Sequence, residues 1–198
     1  MNVNIKRLSP DAQIPQYAHA SDACFDLVAA EDVIIEPGKT ALVKTGLAFE
    51  IPEGYEMQIR PRSGITLKTP LRVQLGTVDA GYRGEVGVIV DNIAERITPF
   101  NSLKYEHIDG TTTETAKHAR YCSRYGDYVE QDEVAYQTYI IRKGDRIAQA
   151  IIKPVEQAAF TEVAELGDSD RGADGFGSSG VGSPHPEYFG GTMGKELI

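Results

Sequence analysis

The sequence has few features that could lock a fold covalently or anchor it in a bilayer. Its 198 residues include two cysteines, Cys24 and Cys122. Two are too few for a disulfide framework, so we expect a reducing compartment. No apolar run approaches the ~20 residues needed to span a bilayer. Residues 1–10 alternate in polarity and lack the apolar core of a signal peptide. We therefore expect a cytoplasmic protein with no membrane partner.

Basic charge and paired metal ligands are also scarce. The chain has 20 Lys and Arg against 29 Asp and Glu, a formal net charge of −9 at pH 7. Nucleic-acid binding needs an extended basic surface, so we expect no nucleic-acid partner. The histidines show no paired metal-ligand spacing, which argues against a zinc site. They are His19, His107, His118 and His185.

The chain does have a globular composition, with 41% apolar and 25% charged residues, and an unusual 20 glycines. Alternating apolar residues are separated by turn signals every 8–12 residues or so, the pattern of an all-β barrel or jelly roll. The strands that this pattern predicts lie near residues 3–8, 25–29, 33–35, 40–51, 55–59, 71–78, 86–90, 136–142 and 147–154.

Two regions depart from the strand pattern. Within residues 92–138, Thr111 and Glu114 have the spacing of a capping box and Gly126 is a stop signal, which predicts a small, partly helical insertion. From residue 167 onward, glycine, serine and aspartate dominate. We predict a β core over 1–166, a flexible glycine-rich lid over 167–180 and a disordered extension over 181–198.

The first segment that could carry chemistry is residues 60–64. Arg62, Ser63 and Gly64 offer a guanidinium, a hydroxyl and free backbone N–H groups at a strand end, which are the parts of a phosphate cradle. The alternative is an ordinary charged turn.

The second segment is residues 76–84, interpreted as a β-hairpin with a shaped tip. Glycines at Gly76 and Gly81 let main chain approach a planar ring. Asp79 is a candidate general base, and Tyr82 offers a ring face to a sugar. The alternative for Asp79 is a turn-capping aspartate.

Three further segments carry polar groups in unusual places. Asp26, in the segment 22–27, and Gln149, in the segment 144–149, lie within otherwise apolar strands. Asp26 is therefore either a structural hydrogen-bond node or part of a metal site. In the tail, Arg171 could contact phosphates while Phe176 stacks on a base, as in a closing lid. All five segments suit a nucleotide with a polyphosphate.

Taken in chain order, the five segments resemble the five motifs of the homotrimeric deoxyuridine triphosphatases (dUTPases). The resemblance covers residues 1–93 and 139–180. Its most specific parts are residues 62–64, 79–84 and 175–180.

The resemblance implies that Asp79 activates the water that attacks the α-phosphorus of dUTP, giving dUMP and pyrophosphate. Such a reaction limits uracil in DNA and supplies dUMP for dTTP synthesis. Tyr82 would pack under the deoxyribose, and Asp26 would lie near Mg²⁺ through a metal-bound water. Uracil would meet main chain at Gly76, Thr77, Val78 and Gly87. Phosphate contacts and lid closure would come from Arg62, Ser63, Gly64, Gln149, Arg171, Phe176, Gly177, Ser178 and Ser179.

The resemblance also implies a homotrimer whose sites each use three subunits. The 92–138 insertion resembles that of dUTPases from phages of Gram-positive bacteria, where insertions are linked to protein partners such as a phage repressor. A phage-encoded enzyme would act in the host cytoplasm. The alternative is a surface subdomain without a partner. Cys24 and Asp174 stand where the family usually has glycine, so we expect the first segment and the lid to differ in detail.

Three competing functions are compatible with parts of the pattern. A dCTP deaminase shares the fold, but it needs a positioned glutamate and a different phosphate segment. A regulatory protein acting through the insertion is compatible with catalysis. A structural β-protein such as a virion component is disfavoured by the presence of Asp79, Arg62 and Arg171.

Overall fold

The computed structural model of the chain describes residues 1–97, 101–102, 104–114, 119–122, 127–130 and 134–173. The chain divides into two compact units, Met1–Gln157 and Ala158–Ile198. All of the described strands belong to the first unit.

The described residues form seventeen β-strands and one α-helix. The strands are β1 (Asn4–Arg7), β2 (Phe25–Val28), β3 (Val33–Ile35), β4 (Thr40–Lys44), β5 (Leu47–Glu50), β6 (Tyr55–Arg60), β7 (Leu71–Val73), β8 (Gly76–Asp79), β9 (Gly87–Asn92), β10 (Asn101–Ser102), β11 (Lys104–Glu106), β12 (Thr112–Glu114), β13 (Ala119–Cys122), β14 (Asp127–Glu130), β15 (Val134–Ala135), β16 (Tyr139–Ile141) and β17 (Arg146–Pro154). The helix, α1, is Ser63–Lys68.

Two sheets position the candidate site. One has the strand order β2-β17-β6-β8, and the other has the order β4-β9-β7. A third sheet, β12-β11-β16-β3, joins the 92–138 segment to the core, and the pairs β1-β5, β10-β15 and β13-β14 complete the described strands. Alternation along the strands buries one face of each, so that Leu27, Met57 and Val88 are fully buried in a shared core.

The predicted all-β class is confirmed, and the mostly antiparallel sheets are consistent with a jelly roll. The single strand predicted over residues 40–51 is two strands, β4 and β5. The break falls at Gly46, which has a φ of +67° and whose added Cβ would lie 2.8 Å from the Cβ of Ala12. Only glycine satisfies both conditions, so the chain bends there.

The hairpin predicted over residues 76–90 is wrong in its pairing. Strand β8 pairs with β6, whereas β9 pairs with β4 and β7. The chain therefore crosses from one sheet to the other through residues 80–86. Alternation predicts the strands but not their partners, because partners are set by long-range packing.

The helix predicted within residues 92–138 is also wrong for the part of it that the structure describes. Thr112–Glu114 and Ala119–Cys122 are strands β12 and β13. The Thr111–Glu114 spacing resembles a capping box, but Tyr105 pairs with Thr113 across an antiparallel ladder instead. Residues 115–118 and Gly126 lie outside the described residues.

A membrane-spanning helix is absent from the described residues, since none of their helical structure is both long and apolar enough.

Candidate functional site

The segment predicted to bind phosphate, residues 60–64, lies where β6 ends and α1 begins. Arg62 is extended, with φ −94° and ψ 129°, and directly precedes the helix. Its Nε lies 3.0 Å from Oδ1 of Asp26, and its Nη1 donates to the carbonyl of Arg146 at 2.9 Å. Ser63 and Gly64 follow with exposed side chain and backbone. The guanidinium is therefore held in place from two directions.

Asp26 is the centre of this group of charges. It lies on β2, half-buried, with one oxygen 3.0 Å from Arg62 and the other 3.4 Å from Nη1 of Arg146. These contacts make Asp26 an ion-pair and hydrogen-bond node, the first of the two roles that the sequence left open, and they are compatible with the second, a place beside a metal ion.

Gln149 fixes the turn that carries Arg62. On the central strand β17 it pairs with Asp26 on one side and with Arg60 on the other. Its Nε2 donates to the carbonyl of Pro61 at 2.8 Å. The strand register thus brings residues far apart in sequence to one end of the sheet.

One cavity of about 940 Å³ is lined by all five residues of the predicted β core that we expect to contact phosphates or Mg²⁺. These are Asp26, Arg62, Ser63, Gly64 and Gln149. An added Cβ at Gly64 would meet nothing within 4 Å in this chain. The surface at Gly64 is therefore open in the single chain, with room for a ligand or another subunit to approach the backbone.

The cavity also includes residues that sequence reasoning missed. Asp145 and Arg146 lie in the segment 144–149, so their position beside Gln149 could have identified them as cavity residues. Lys68, at the end of α1, and Asp109, within the 92–138 segment, gave no such signal, because only the fold brings them to the cavity.

Asp79 and Tyr82 lie at the end of β8 and on the loop that leads to β9. Asp79 is the exposed last residue of β8, and its carbonyl accepts a hydrogen bond from the backbone N–H of Tyr82 at 3.0 Å. The Tyr82 ring is 47% exposed, and its hydroxyl donates to the carbonyl of Glu85 at 3.0 Å. An added Cβ at Gly84 would lie 2.4 Å from that hydroxyl oxygen. The ring therefore lies over Gly84 with one face available.

The predicted base-contacting residues occupy a free strand edge. Gly76, Thr77 and Val78 lie on β8, the last strand in its sheet order, so its outer side has no ladder partner among the described strands. Gly87 begins β9 and pairs with Lys44 of β4 on one side. On its other side the ladder with β7 ends at Val90, so that ladder does not reach Gly87. Backbone donors and acceptors of both strands thus face away from the ladders.

The two halves of the predicted site lie at opposite ends of β6. Glu56 pairs with Asp79, whereas Arg60 pairs with Gln149. Because a strand rises ~3.3 Å per residue, these ends are about 13 Å apart, and Arg62 lies beyond the far end. A second cavity, of about 430 Å³, is lined by Ala80, Gly81 and Arg83. Asp79 and Arg62 of one chain are therefore not brought together.

The predicted lid residues fall mostly outside the described part of the chain. Arg171 is described and exposed, in the second compact unit, beside a turn in which the N–H of Gly172 donates to the carbonyl of Ser169 at 3.0 Å. Phe176, Gly177, Ser178, Ser179 and Asp174 lie beyond the described residues.

Two carboxyl groups have pKa values below their usual range. At Asp109, hydrogen bonds from Thr111 and then from Arg142 lower the pKa strongly. At Asp91, on the outer face of β9, hydrogen bonds from Thr40 and Gln74 lower the pKa. Both groups are therefore ionised at neutral pH.

Among the described residues, no group of three or more His, Cys, Asp or Glu is placed to hold a metal ion. A metal caged by protein side chains alone is thus not part of the described site.

The sequence and the fold both match known proteins. The sequence model of the dUTPase family matches residues 10–102 and 134–180. The deoxyuridine 5'-triphosphate nucleotidohydrolase of Thermobifida fusca is 42% identical over 182 residues, which are 91% of this chain and 79% of that protein. The protein of the same name from Clostridium tetani is 39% identical over 90% of this chain and 96% of its own.

Solved phage structures have the same fold. A mutant dUTPase of Staphylococcus bacteriophage 80alpha with dUpNHpp has a TM-score of 0.80 at 34% identity, covering 91% of this chain and 99% of that one. The dUTPase of phage phi11 of S. aureus, described for its species-specific insert, has a TM-score of 0.71 at 32% identity, covering 84% and 98%. The family match over most of the sequence, the similar relatives and the shared fold show that the chain belongs to the dUTPase family.

Proposed function

We propose that this protein hydrolyses dUTP to dUMP and pyrophosphate. The observation that carries the proposal is one cavity that holds Asp26, Arg62, Ser63, Gly64 and Gln149 together, in a chain of the dUTPase family. The relatives from Thermobifida fusca and Clostridium tetani are deoxyuridine 5'-triphosphate nucleotidohydrolases, which also favours this reaction over dCTP deamination.

The active site is completed by another subunit. A general base must lie within hydrogen-bond reach of its proton, ~2.6–3.2 Å, or act through one water. The length of β6 separates Asp79 from Arg62 by several times that reach. A symmetric trimer in which Asp79 of one subunit meets Arg62 of another removes this difficulty. The open space around Gly64 in the single chain leaves room for such an approach.

Uracil is recognised by main chain along β8. The outer edge of Gly76, Thr77 and Val78, with Gly87 at the start of β9, offers alternating N–H and C=O groups of the kind that pair with a base. Tyr82 lies at the end of this edge, where its exposed ring face can pack under deoxyribose. A 2′-hydroxyl would meet the ring, which selects deoxyribose over ribose.

Asp79 takes the proton from the water that attacks the α-phosphorus, and the pyrophosphate oxygen leaves from the opposite side. A triphosphate repels a nucleophile, so charge neutralisation and positioning supply most of the rate. Arg62 supplies positive charge that Asp26 already orients. Gln149 keeps the Arg62 turn in place and has its amide at the cavity wall. Arg171, Phe176, Gly177, Ser178 and Ser179 close over the nucleotide as a lid.

Magnesium fits the cavity as an ion carried mainly by the phosphates. Mg²⁺ keeps several waters and is usually bound by one or two carboxylates plus substrate phosphates. Asp26 is a half-buried carboxylate on the cavity wall and fits the role of a contact through water. When bound, the ion supplies further neutralisation of the triphosphate charge.

A second, regulatory role is supported by the segment that the family model leaves out. The matched ranges end at residue 102 and resume at 134, within the 92–138 segment. Phage dUTPases related to this chain, among them that of 80alpha, are described as controlling the transfer of virulence genes. We propose that this segment binds a protein partner such as a phage repressor in the host cytoplasm.

The proposed reaction is tested by pyrophosphate release from dUTP, dTTP, UTP and dCTP supplied separately with Mg²⁺. We expect turnover of dUTP alone. Ammonia release from dCTP, or equal rates with dTTP or UTP, would contradict the proposal.

A further inference from the structure

One wall of the phosphate cavity comes from the 92–138 segment. Ile108 and Asp109 line the same cavity as Arg62 and Ser63. Both lie between the two ranges that the family model matches. This wall therefore lies outside the ranges that the family model matches.

The turn that carries the wall is fixed to the core. Its ends are joined by the N–H of His107 donating to the carbonyl of Thr111 at 3.0 Å, and Gly110 has a φ of +85°. The His107 side chain is 2% exposed, and its ring nitrogens lie 3.2 Å from the carbonyl of Ile140 and 2.6 Å from the hydroxyl of Thr113. Asp109 is thus held at a defined place on the cavity wall.

Two acidic side chains that line the cavity, one of them on this wall, share one arginine. Nη2 of Arg142 lies 2.6 Å from Oδ2 of Asp109 and 3.6 Å from Oδ1 of Asp145. Both carboxylates line the cavity. One guanidinium therefore compensates two negative charges beside the place where a polyanion would bind.

We propose that Asp109 and Arg142 set how strongly the phosphate cavity attracts the triphosphate. The inference rests on the proposed function, since it concerns binding of the same nucleotide. Asp109 repels the phosphates, and Arg142 cancels that repulsion together with that of Asp145. Through Asp109, the 92–138 segment thereby contributes directly to substrate affinity.

The test uses the two members of the ion pair separately. With dUpNHpp and Mg²⁺ as probe, titration calorimetry at low salt should give a Kd two- to fivefold or so lower for Asp109→Asn, and higher by about the same factor for Arg142→Gln. Arg142→Lys should bring the Kd back toward wild type. The KM for dUTP should follow the same signs, and raising the salt should shrink both changes.

The matched control is a neighbouring ion pair, formed by Lys143, which follows Arg142 in the sequence, and Asp11. Nζ of Lys143 lies 3.1 Å from Oδ1 of Asp11. We expect Lys143→Gln and Asp11→Asn to shift the Kd by less than about twofold. Melting temperatures of all variants show whether each is folded.

Opposite signs for the two single variants support the proposal, because loss of a purely structural ion pair would weaken binding in both. Changes of the same sign, or changes that do not depend on salt, would overturn it while leaving dUTP hydrolysis intact. A wild-type protein that neither binds dUpNHpp nor releases pyrophosphate from dUTP would overturn the proposed function and this inference with it.

Discussion

At the scale of single residues, the chemistry depends on where Asp79 lies. It ends the edge strand β8 with an exposed carboxylate, in a loop held by the Tyr82 N–H and, from Arg83, by hydrogen bonds of 2.6 and 3.0 Å to the carbonyls of Ala80 and Tyr82. The carboxylate can therefore face a bound water without disturbing the fold.

Asp79→Asn removes the proposed base while keeping the shape of the side chain. We expect kcat for dUTP to fall by a factor of about 10²–10⁴, with the affinity for dUpNHpp close to wild type. Pyrophosphate release and calorimetric titration measure the two quantities. Activity that survives the substitution would remove Asp79 as the base.

Asp91 gives a pH dependence of stability. Its pKa in the folded protein is below the ordinary value of 3.8 because Thr40 and Gln74 donate hydrogen bonds to it. Its contribution to stability is therefore present above pH 3.8 and is lost as the pH falls through the folded-state pKa. We expect the melting-temperature difference between wild type and Asp91→Asn to be constant from pH 5 to 8 or so and to shrink below pH 3.8. A difference that grows in acid would contradict this.

At the scale of elements, the loop between β8 and β9 is shaped by two glycines with different surroundings. An added Cβ at Gly84 would lie 2.6 Å from Cζ of the Tyr82 ring, whereas at Gly81 nothing lies within 4 Å in the same chain. Because the Tyr82 ring is half exposed, it can swing away at small cost in stability.

Gly84→Ala should therefore displace the ring and weaken the sugar contact. We expect a small change in melting temperature, a fall in kcat/KM for dUTP of about fivefold, equivalent to about 1 kcal/mol of aromatic contact, and weaker discrimination against UTP. Gly81→Ala is the comparison, and its stability should match wild type. Unchanged UTP discrimination in Gly84→Ala would contradict the role given to Tyr82.

Local sequence predicted most strands of the core but not the helical structure. Alternation identified β2 and β6 because each buries every second side chain along most of its length. Helix α1 was missed, since its six residues contain one buried apolar side chain, Ile65, and its N-cap position makes no side-chain hydrogen bond. The helix expected near Thr111 failed because cross-strand pairing with β11 outweighed a local capping signal.

At the scale of the whole molecule, the site could be predicted only in pieces. Residues 60–64 and 144–149 carried recognisable signals, and the register of β17 explains why they meet at Asp26. Asp109 could not be found from the sequence, because its place on the cavity wall depends on the parallel pairing of β11 with β16. The separation of Asp79 from the cavity was likewise visible only in the sheet register.

Each active site, as we propose it, joins Asp79 of one subunit to Arg62 of another. Two variants, Asp79→Asn and Arg62→Gln, should each be nearly inactive as homotrimers. When they are co-expressed in equal amounts, a site is intact only if Asp79 comes from one variant and Arg62 from the other.

The measurement is dUTP turnover by the co-expressed, purified mixture, with size-exclusion chromatography and light scattering to establish its oligomeric state. If the subunits assemble at random and each site takes Asp79 and Arg62 from different subunits, about one quarter of the sites are intact, so about one quarter of wild-type activity should return. The two variants purified separately and mixed without subunit exchange are the control. If the co-expressed protein forms mixed trimers but its activity does not exceed the summed activities of the two homotrimeric variants, the result would contradict a site shared between subunits.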